Sequence, residues 1–278
     1  MKGWAPSGSV RNLALGFLSL LLLVGLLSEW LAGRSAASAT ALQSGLASAA
    51  GPELWAWWML ATRDVLAVSA TATLLGALLG STLGALAIYG SGGVGGALSR
   101  LVGFLGAFPG LLLVGLFRLG DPSHGVLALL GALSLLRTLE VAQLVRAELL
   151  EALLGDFVEA SRALGASRRW QVRAHVVPRL VRPLAANLLQ GASTLIGLEA
   201  ALSFVGLGLP AGVPSWGGGL ATVALTQSLL PLGVCAASIG LTCAALYGLG
   251  ASLAAARPLP GRAAVAPLVA LGAAGSGS

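Results

Sequence analysis

Long apolar runs separated by short polar stretches organise this chain. The first covers residues 12–28 and follows Lys2 and Arg11; the others cover 65–89, 101–117, 126–144, 184–205 and 228–254. Each approaches the roughly 20 residues that a helix needs to cross a bilayer, so the pattern predicts an all-α integral membrane protein with about six transmembrane helices. The first run has a second reading as a cleaved signal peptide, with small residues at 35–39 as the cleavage site. The spans that follow it favour an uncleaved helix.

Within the runs, some positions stand out. Gly76, Gly80 and Gly84 recur every fourth residue, which lays a smooth stripe along one helix face and lets a neighbouring helix come close. Pro109 interrupts the third run and predicts a kink or a division there. A glycine-rich turn with Arg100 precedes that run, and Arg118, Asp121 and His124 mark a short exit after it. Trp55, Trp57 and Trp58 in "ELWAWWML" suit either a headgroup boundary or an amphipathic segment packed on the protein. The stretch 206–227 contains no Lys or Arg, and the tail beyond Pro258, broken by Pro267 and glycines, is too short to cross again. The expected division is an N-terminal helix and extracytoplasmic segment (1–62), a five-helix core (63–256) with a loop at 146–182, and a tail (257–278).

Composition agrees with the pattern. Hydrophobic residues make up 56% and charged residues 9% of the 278 positions, and the mean hydropathy is +0.90; an ordinary soluble domain carries about 25% charged residues. Such a length is taken up by the spans and leaves no room for a second, soluble catalytic domain. The net charge of +6 is explained by orientation in a membrane rather than by nucleic acid, because the basic residues flank apolar spans. With both termini cytoplasmic, twelve Lys and Arg fall inside and only Arg34, Arg63 and Arg118 outside, a clear positive-inside bias. Arg137, within or at the end of the fourth run, is left out of that count.

Enzymatic chemistry finds no support. The only lysine is Lys2, which excludes a Walker A sequence, and no Gly-x-Ser-x-Gly elbow occurs. His124 and His175 fall on opposite sides of the predicted membrane, so no catalytic or metal site is assigned. Cys235 and Cys243 read as small packing residues. Arg137 and Glu199 lie in or near the apolar layer, where an unpaired charge costs at least about 2.5–3.5 kcal/mol. Each must face protein or water, as part of a structural ion pair, by snorkelling, or in contact with a substrate. Asn187 and Gln190 hold helices together or line a path.

The most charged stretch is "DFVEASRALGASRRWQVRAHVVPRL", from Asp156 to Leu180. Asp156 and Glu159 suit a helix start, and Arg162 lies three residues beyond Glu159 on the same face. Gly165 then breaks that helix, and Pro178 stops a second one. Two short surface helices at an angle result, as a handle for a cytosolic partner or as a basic loop on anionic lipid.

Glu159, Ala160, Ser161, Gly165 and "HVVP" ending at Pro178 resemble the EAA loop of ABC importer permeases. "EAALSFVGLGLP" (199–210), "PSWGGGL" (214–220) and "TRDVL" (62–66) resemble further motifs of the dipeptide/oligopeptide/nickel subfamily, in the same order. Ser161 stands where that pattern has Ala, Arg179 where Asn commonly follows the proline, and Arg63 lacks the usual preceding glycine. The resemblance implies a multi-pass permease of the bacterial inner membrane. Glu159, Ala160, Ser161, Gly165, Arg168, Trp170 and Pro178 would dock the ATP-binding subunit, which alone binds ATP. It further implies a homologous permease, an extracytoplasmic solute-binding protein, and di- or oligopeptide as substrate. Nickel or another small solute, and a permease-like scaffold without transport, stand as alternatives.

Overall fold

The computed structural model describes residues 8–31, 52–90, 93–120, 125–153, 165, 177–210, 212–224 and 228–255. Every regular element among them is a helix: α1 (Gly8–Leu31), α2 (Pro52–Tyr89), α3 (Val94–Gly106), α4 (Gly110–Leu119), α5 (Val126–Leu153), α6 (Val177–Phe204), α7 (Trp216–Ala224) and α8 (Leu229–Ala255). Four of them, α1, α2, α5 and α8, are long and apolar enough to cross a membrane, or five spans if the bent α3–α4 pair counts as one. The expected count of about six is thus reached only with α6. That helix has 28 residues and is long enough, but Arg179, Arg182, Asn187, Gln190 and Glu199 dilute its apolar content. The reason is its place: α6 packs against α8, α2, α7 and α5, and a helix lined by protein need not be apolar all round.

The expected start of the second span at residue 65 is corrected. The helix begins at Pro52 and continues for 38 residues, about 57 Å at 1.5 Å per residue. Leu54, Trp57, Ala61 and Val65 fall on one face by their spacing of three and four. They bury against Ile196, Trp216, Val223 and Cys235. Trp57 is therefore a core residue, completely buried, and not an anchor at the headgroups. Trp58 donates from Nε1 to Ser238 Oγ at 2.7 Å, and only Trp55, 60% exposed, faces outward.

The glycine stripe does what its spacing predicts. α2 and α5 form the most extensive helix pair of the structure. A Cβ at Gly80 would lie 2.7 Å from the Thr138 carbonyl oxygen and one at Gly84 2.7 Å from that of Ala142. The two backbones meet through these positions. Pro109 divides the third run into α3 and α4, which meet at 92°. Its carbonyl accepts the Leu113 N–H at 3.0 Å, so it opens α4 where its own missing N–H is not needed.

Other boundaries move too. Arg100 lies inside α3 rather than in a turn, and α5 runs on to Leu153, so Arg137 sits in its middle. Pro178 lies in the first turn of α6, again a position where its missing N–H costs little; the helix expected to end there lies outside the described residues. The predicted loop 146–182 contracts to 154–176, of which Gly165 alone is described. The stretch 206–227 contains α7, which packs back on α6 and α8.

Candidate functional site

α5 and α6 flank the segment 154–176, and their facing ends are packed together. Leu149 and Ala152 of α5 are buried against Leu180 and Leu184 of α6, with Ile88 and Tyr89 of α2 alongside. At the mouth of the segment Arg179 Nη2 donates to Glu151 Oε1 at 3.1 Å. Both side chains are about half exposed, so this pair adds at most about 1 kcal/mol. Arg146 Nε donates to Ser99 Oγ at 3.1 Å and Gln143 Nε2 to the Val102 carbonyl at 3.2 Å, tying the same half of α5 to α3.

Of the residues expected to dock a partner, Gly165 and Pro178 are described; Glu159, Ala160, Ser161, Arg168 and Trp170 lie outside the described residues. Gly165 has φ +80° with open space where a Cβ would stand. Backbone conformation, not crowding, favours glycine there. A left-handed residue costs an L side chain roughly 1–2 kcal/mol; the pair of angled helices expected around it lies outside the described residues.

A second link between α5 and α6 lies deeper. The Arg137 guanidinium is only 1% exposed. Nη1 donates to Glu140 on the next turn of α5. Nη2 reaches across to α6, where it donates to Asn187 Oδ1 at 2.7 Å and to the Asn187 carbonyl at 3.2 Å. Gly191 of α6 leaves the space that the guanidinium occupies, and Gly76 of α2 leaves room for the Arg137 Cβ. Arg137 and Asn187 are therefore brought together as a clamp between α5 and α6. Gln190 is half-buried, with its side chain against Gly250 of α8. Glu140 was not expected, although its i,i+3 spacing from Arg137 was a readable signal.

Glu199 occupies the opposite end of α6, twelve residues or about 18 Å along the axis from Asn187, and does not pair with Arg137. It is fully buried. Ser203 Oγ donates to its Oε1 at 2.5 Å and accepts the Leu209 N–H at 3.1 Å. Ser215, buried just ahead of α7, also approaches the carboxyl. The carboxyl thus knits the end of α6 to the turn that leads into α7, in a network that sequence reasoning missed because its members are spread over sixteen positions and only the turn joins them. Ser203→Ala removes the hydroxyl on which two buried groups depend. It is expected to destabilise the chain by about 1–3 kcal/mol, read as a lowered thermal unfolding midpoint in detergent, whereas Ser252→Ala, whose hydroxyl bonds only within its own helix, should leave the midpoint within error.

Among the described residues no three His, Cys, Asp or Glu lie close enough to hold a metal ion. The site is mechanical in character: two helices, tied at two depths, flank the basic segment 154–176, of which Gly165 alone is described.

Comparison with known proteins identifies the family. The family model described as binding-protein-dependent transport system inner membrane component matches residues 66–254, from α2 to α8. The oligopeptide transport system permease protein OppC of Bacillus subtilis is 28% identical over 60% of this chain and 54% of its own length. The glutathione transport system permease protein GsiD of Pectobacterium atrosepticum is 29% identical over 60% of the chain and 55% of its own. A putative peptide transport system permease protein of Brucella suis is 32% identical over 60% and 56%. The chain spans about half the length of these relatives. With the family match extending over α2 to α8, the helices that build the clamp and its segment, the chain belongs to the binding-protein-dependent transport system inner membrane components.

Proposed function

We propose that this chain is the transmembrane permease subunit of an ABC importer for di- or oligopeptides, and that segment 154–176 is the handle gripped by its ATP-binding subunit. The observation that carries the reading is the clamped α5–α6 pair. A displacement of the segment passes into both helices together, because Arg137 and Asn187 tie them at depth and Leu149, Ala152, Leu180 and Leu184 tie them at the mouth. Motion of this kind is a rigid-body shift between inward-open and outward-open states. The chain supplies neither ATP binding nor hydrolysis; the partner subunit does. A homologous permease and an extracytoplasmic binding protein complete the assembly. Peptides come ahead of nickel because the relatives' names specify oligopeptides, peptides and glutathione.

Orientation follows from charge. Arg100, Arg146, Arg179 and Arg182 gather at the end of the bundle that bears Tyr89 and the segment, while Arg63 lies toward the other end, paired with Asp64. By the positive-inside rule the segment and both termini are cytoplasmic, in the inner membrane.

The test is retention of the ATP-binding subunit on the tagged chain. Gly165→Val strains the bend and Glu159→Lys reverses a charge at a helix start. Each is expected to lower retention at least several-fold, and substrate-stimulated ATP hydrolysis with it, at normal levels of inserted chain. Gly96→Val is the control, since a Cβ there meets open space. Undiminished retention by both variants would leave the segment a solvated basic loop and the chain a scaffold.

A further inference from the structure

Of the apolar grooves along the seam between α1 and the rest of the bundle, two share Arg11 at their end, and a third lies farther along α1 by Phe17 and Leu21. The first, about 500 Å³, follows α1 from Arg11 to Leu22 and is closed by α2, α6 and α8. The second, about 430 Å³, lies on the other side of the seam between α1 and the stretch of α8 from Leu241 to Leu249. Apart from Arg11 and a few serines the walls of both are aliphatic or aromatic. Arg11 is exposed, and its guanidinium pairs with none of the described residues. α1 itself is held loosely, only 11% of its apolar window being buried.

We propose that an anionic phospholipid sits astride this seam, with its phosphate on Arg11 and one acyl chain in each groove. Three observations choose this occupant over a protein helix or a small solute. Among the described residues one cation is shared by the two grooves, as one phosphate is shared by two chains. The first groove extends eleven residues along α1, about 16 Å at 1.5 Å per residue, which is close to half of a hydrocarbon core of about 30 Å and therefore the reach of one leaflet. The walls offer an incoming chain almost no hydrogen-bonding group, which suits an acyl tail and not a peptide or sugar. The lipid then adds to the contacts that α1 makes with α2 and α8 and reaches α6 through the wall of the first groove.

The site is tested on the full chain purified in mild detergent with equal amounts of phosphatidylglycerol and phosphatidylcholine, by native mass spectrometry of the lipid retained after stripping. The unmodified chain is expected to keep one lipid, phosphatidylglycerol over phosphatidylcholine by about fivefold, the preference expected of one arginine near an anionic head. Arg11→Gln should abolish the preference and Arg11→Lys should restore most of it. Gly248→Trp places a large side chain in the second groove, where a Cβ now meets open space; it should lower retention of both lipids while circular dichroism keeps the helical signal. Millimolar inorganic phosphate should displace nothing. Equal retention of the two lipids by the unmodified chain, an undiminished preference in Arg11→Gln, or displacement by free phosphate would each overturn the proposal.

Discussion

Gly80→Leu is expected to separate α2 from α5 and to cost the chain its stable fold, lowering the unfolding midpoint in detergent far more than any surface change. A Cβ at Gly80 would stand 2.7 Å from the Thr138 carbonyl oxygen and 2.7 Å from the Val141 Cβ. Neither neighbour is the flexible end of a side chain, so the helices themselves must move apart. Overpacking of a close core costs about 1–3 kcal/mol, occasionally more. A leucine in the stripe belongs at the upper end, because Gly76 and Gly84 lose their close approach with it. Gly115→Leu on α4 tests the specificity of the argument, since its Cβ would meet nothing within 4 Å. Equal midpoints for Gly80→Leu and Gly115→Leu would show that the stripe is not a packing face.

Glu140→Ala is expected to be more damaging than Arg137→Met, although each breaks the same ion pair. The Arg137 side chain is 1% exposed and that of Glu140 is 39% exposed. Removing the carboxylate leaves a buried cation with only the Asn187 amide and carbonyl as acceptors, a loss of about 3 kcal/mol, below that of a fully buried pair because Glu140 is itself partly exposed. Removing the guanidinium leaves a carboxylate that water can reach, and methionine keeps much of the chain's length beside Gly76 and Gly191. The double variant Arg137→Met, Glu140→Gln should recover most of the loss, because no buried charge is then left unpaired. Arg137→Lys should not restore stability fully, since an ammonium lacks the fork that serves Glu140 and Asn187 at once. The comparison is read as unfolding midpoints of the four variants. The reverse order of the single variants would mean that Glu140, not Arg137, carries the desolvation cost.

If the clamp matters to coupling as well as to stability, Asn187→Leu should show it. That change removes the shorter, side-chain bond across to α6 and leaves the bond to the backbone carbonyl and the Arg137–Glu140 pair within α5. The ATP-binding subunit should still be retained, because the handle is intact, while substrate-stimulated hydrolysis falls. Loss of retention would place Asn187 in the support of the handle rather than in the transfer of its motion.

Much of this architecture was legible in the chain, and for identifiable reasons. The spans, the all-helical class and the division at Pro109 follow from local features: lengths of apolar run, and a residue without an N–H. The close-approach face of α2 was readable as well, because glycine at every fourth position has few uses in a span other than close approach; that α5 lies against it was not. The resemblance of "EASRALG" and "EAALSFVGLGLP" to permease motifs pointed to the family that the match over residues 66–254 establishes.

What the chain alone determined is therefore what depends on near neighbours: which segments are helices, which faces are smooth, where basic residues accumulate. Only the tertiary structure decided the partners. Trp57 looks like an interfacial anchor until Trp216, Ile196 and Cys235 close over it. Arg137 allows a pair, a snorkel or a substrate contact until Asn187, fifty positions on, accepts two of its bonds. α6 falls short of a membrane span by composition until Glu199 is seen buried and Asn187 and Gln190 half-buried among the helices around it, with Arg179 and Arg182 exposed at its first turns. The reason is common to all three: the cost of burying a charge, an indole or an amide depends on the groups that surround it in space, and periodicity along one helix says which way a side chain faces but not what it meets.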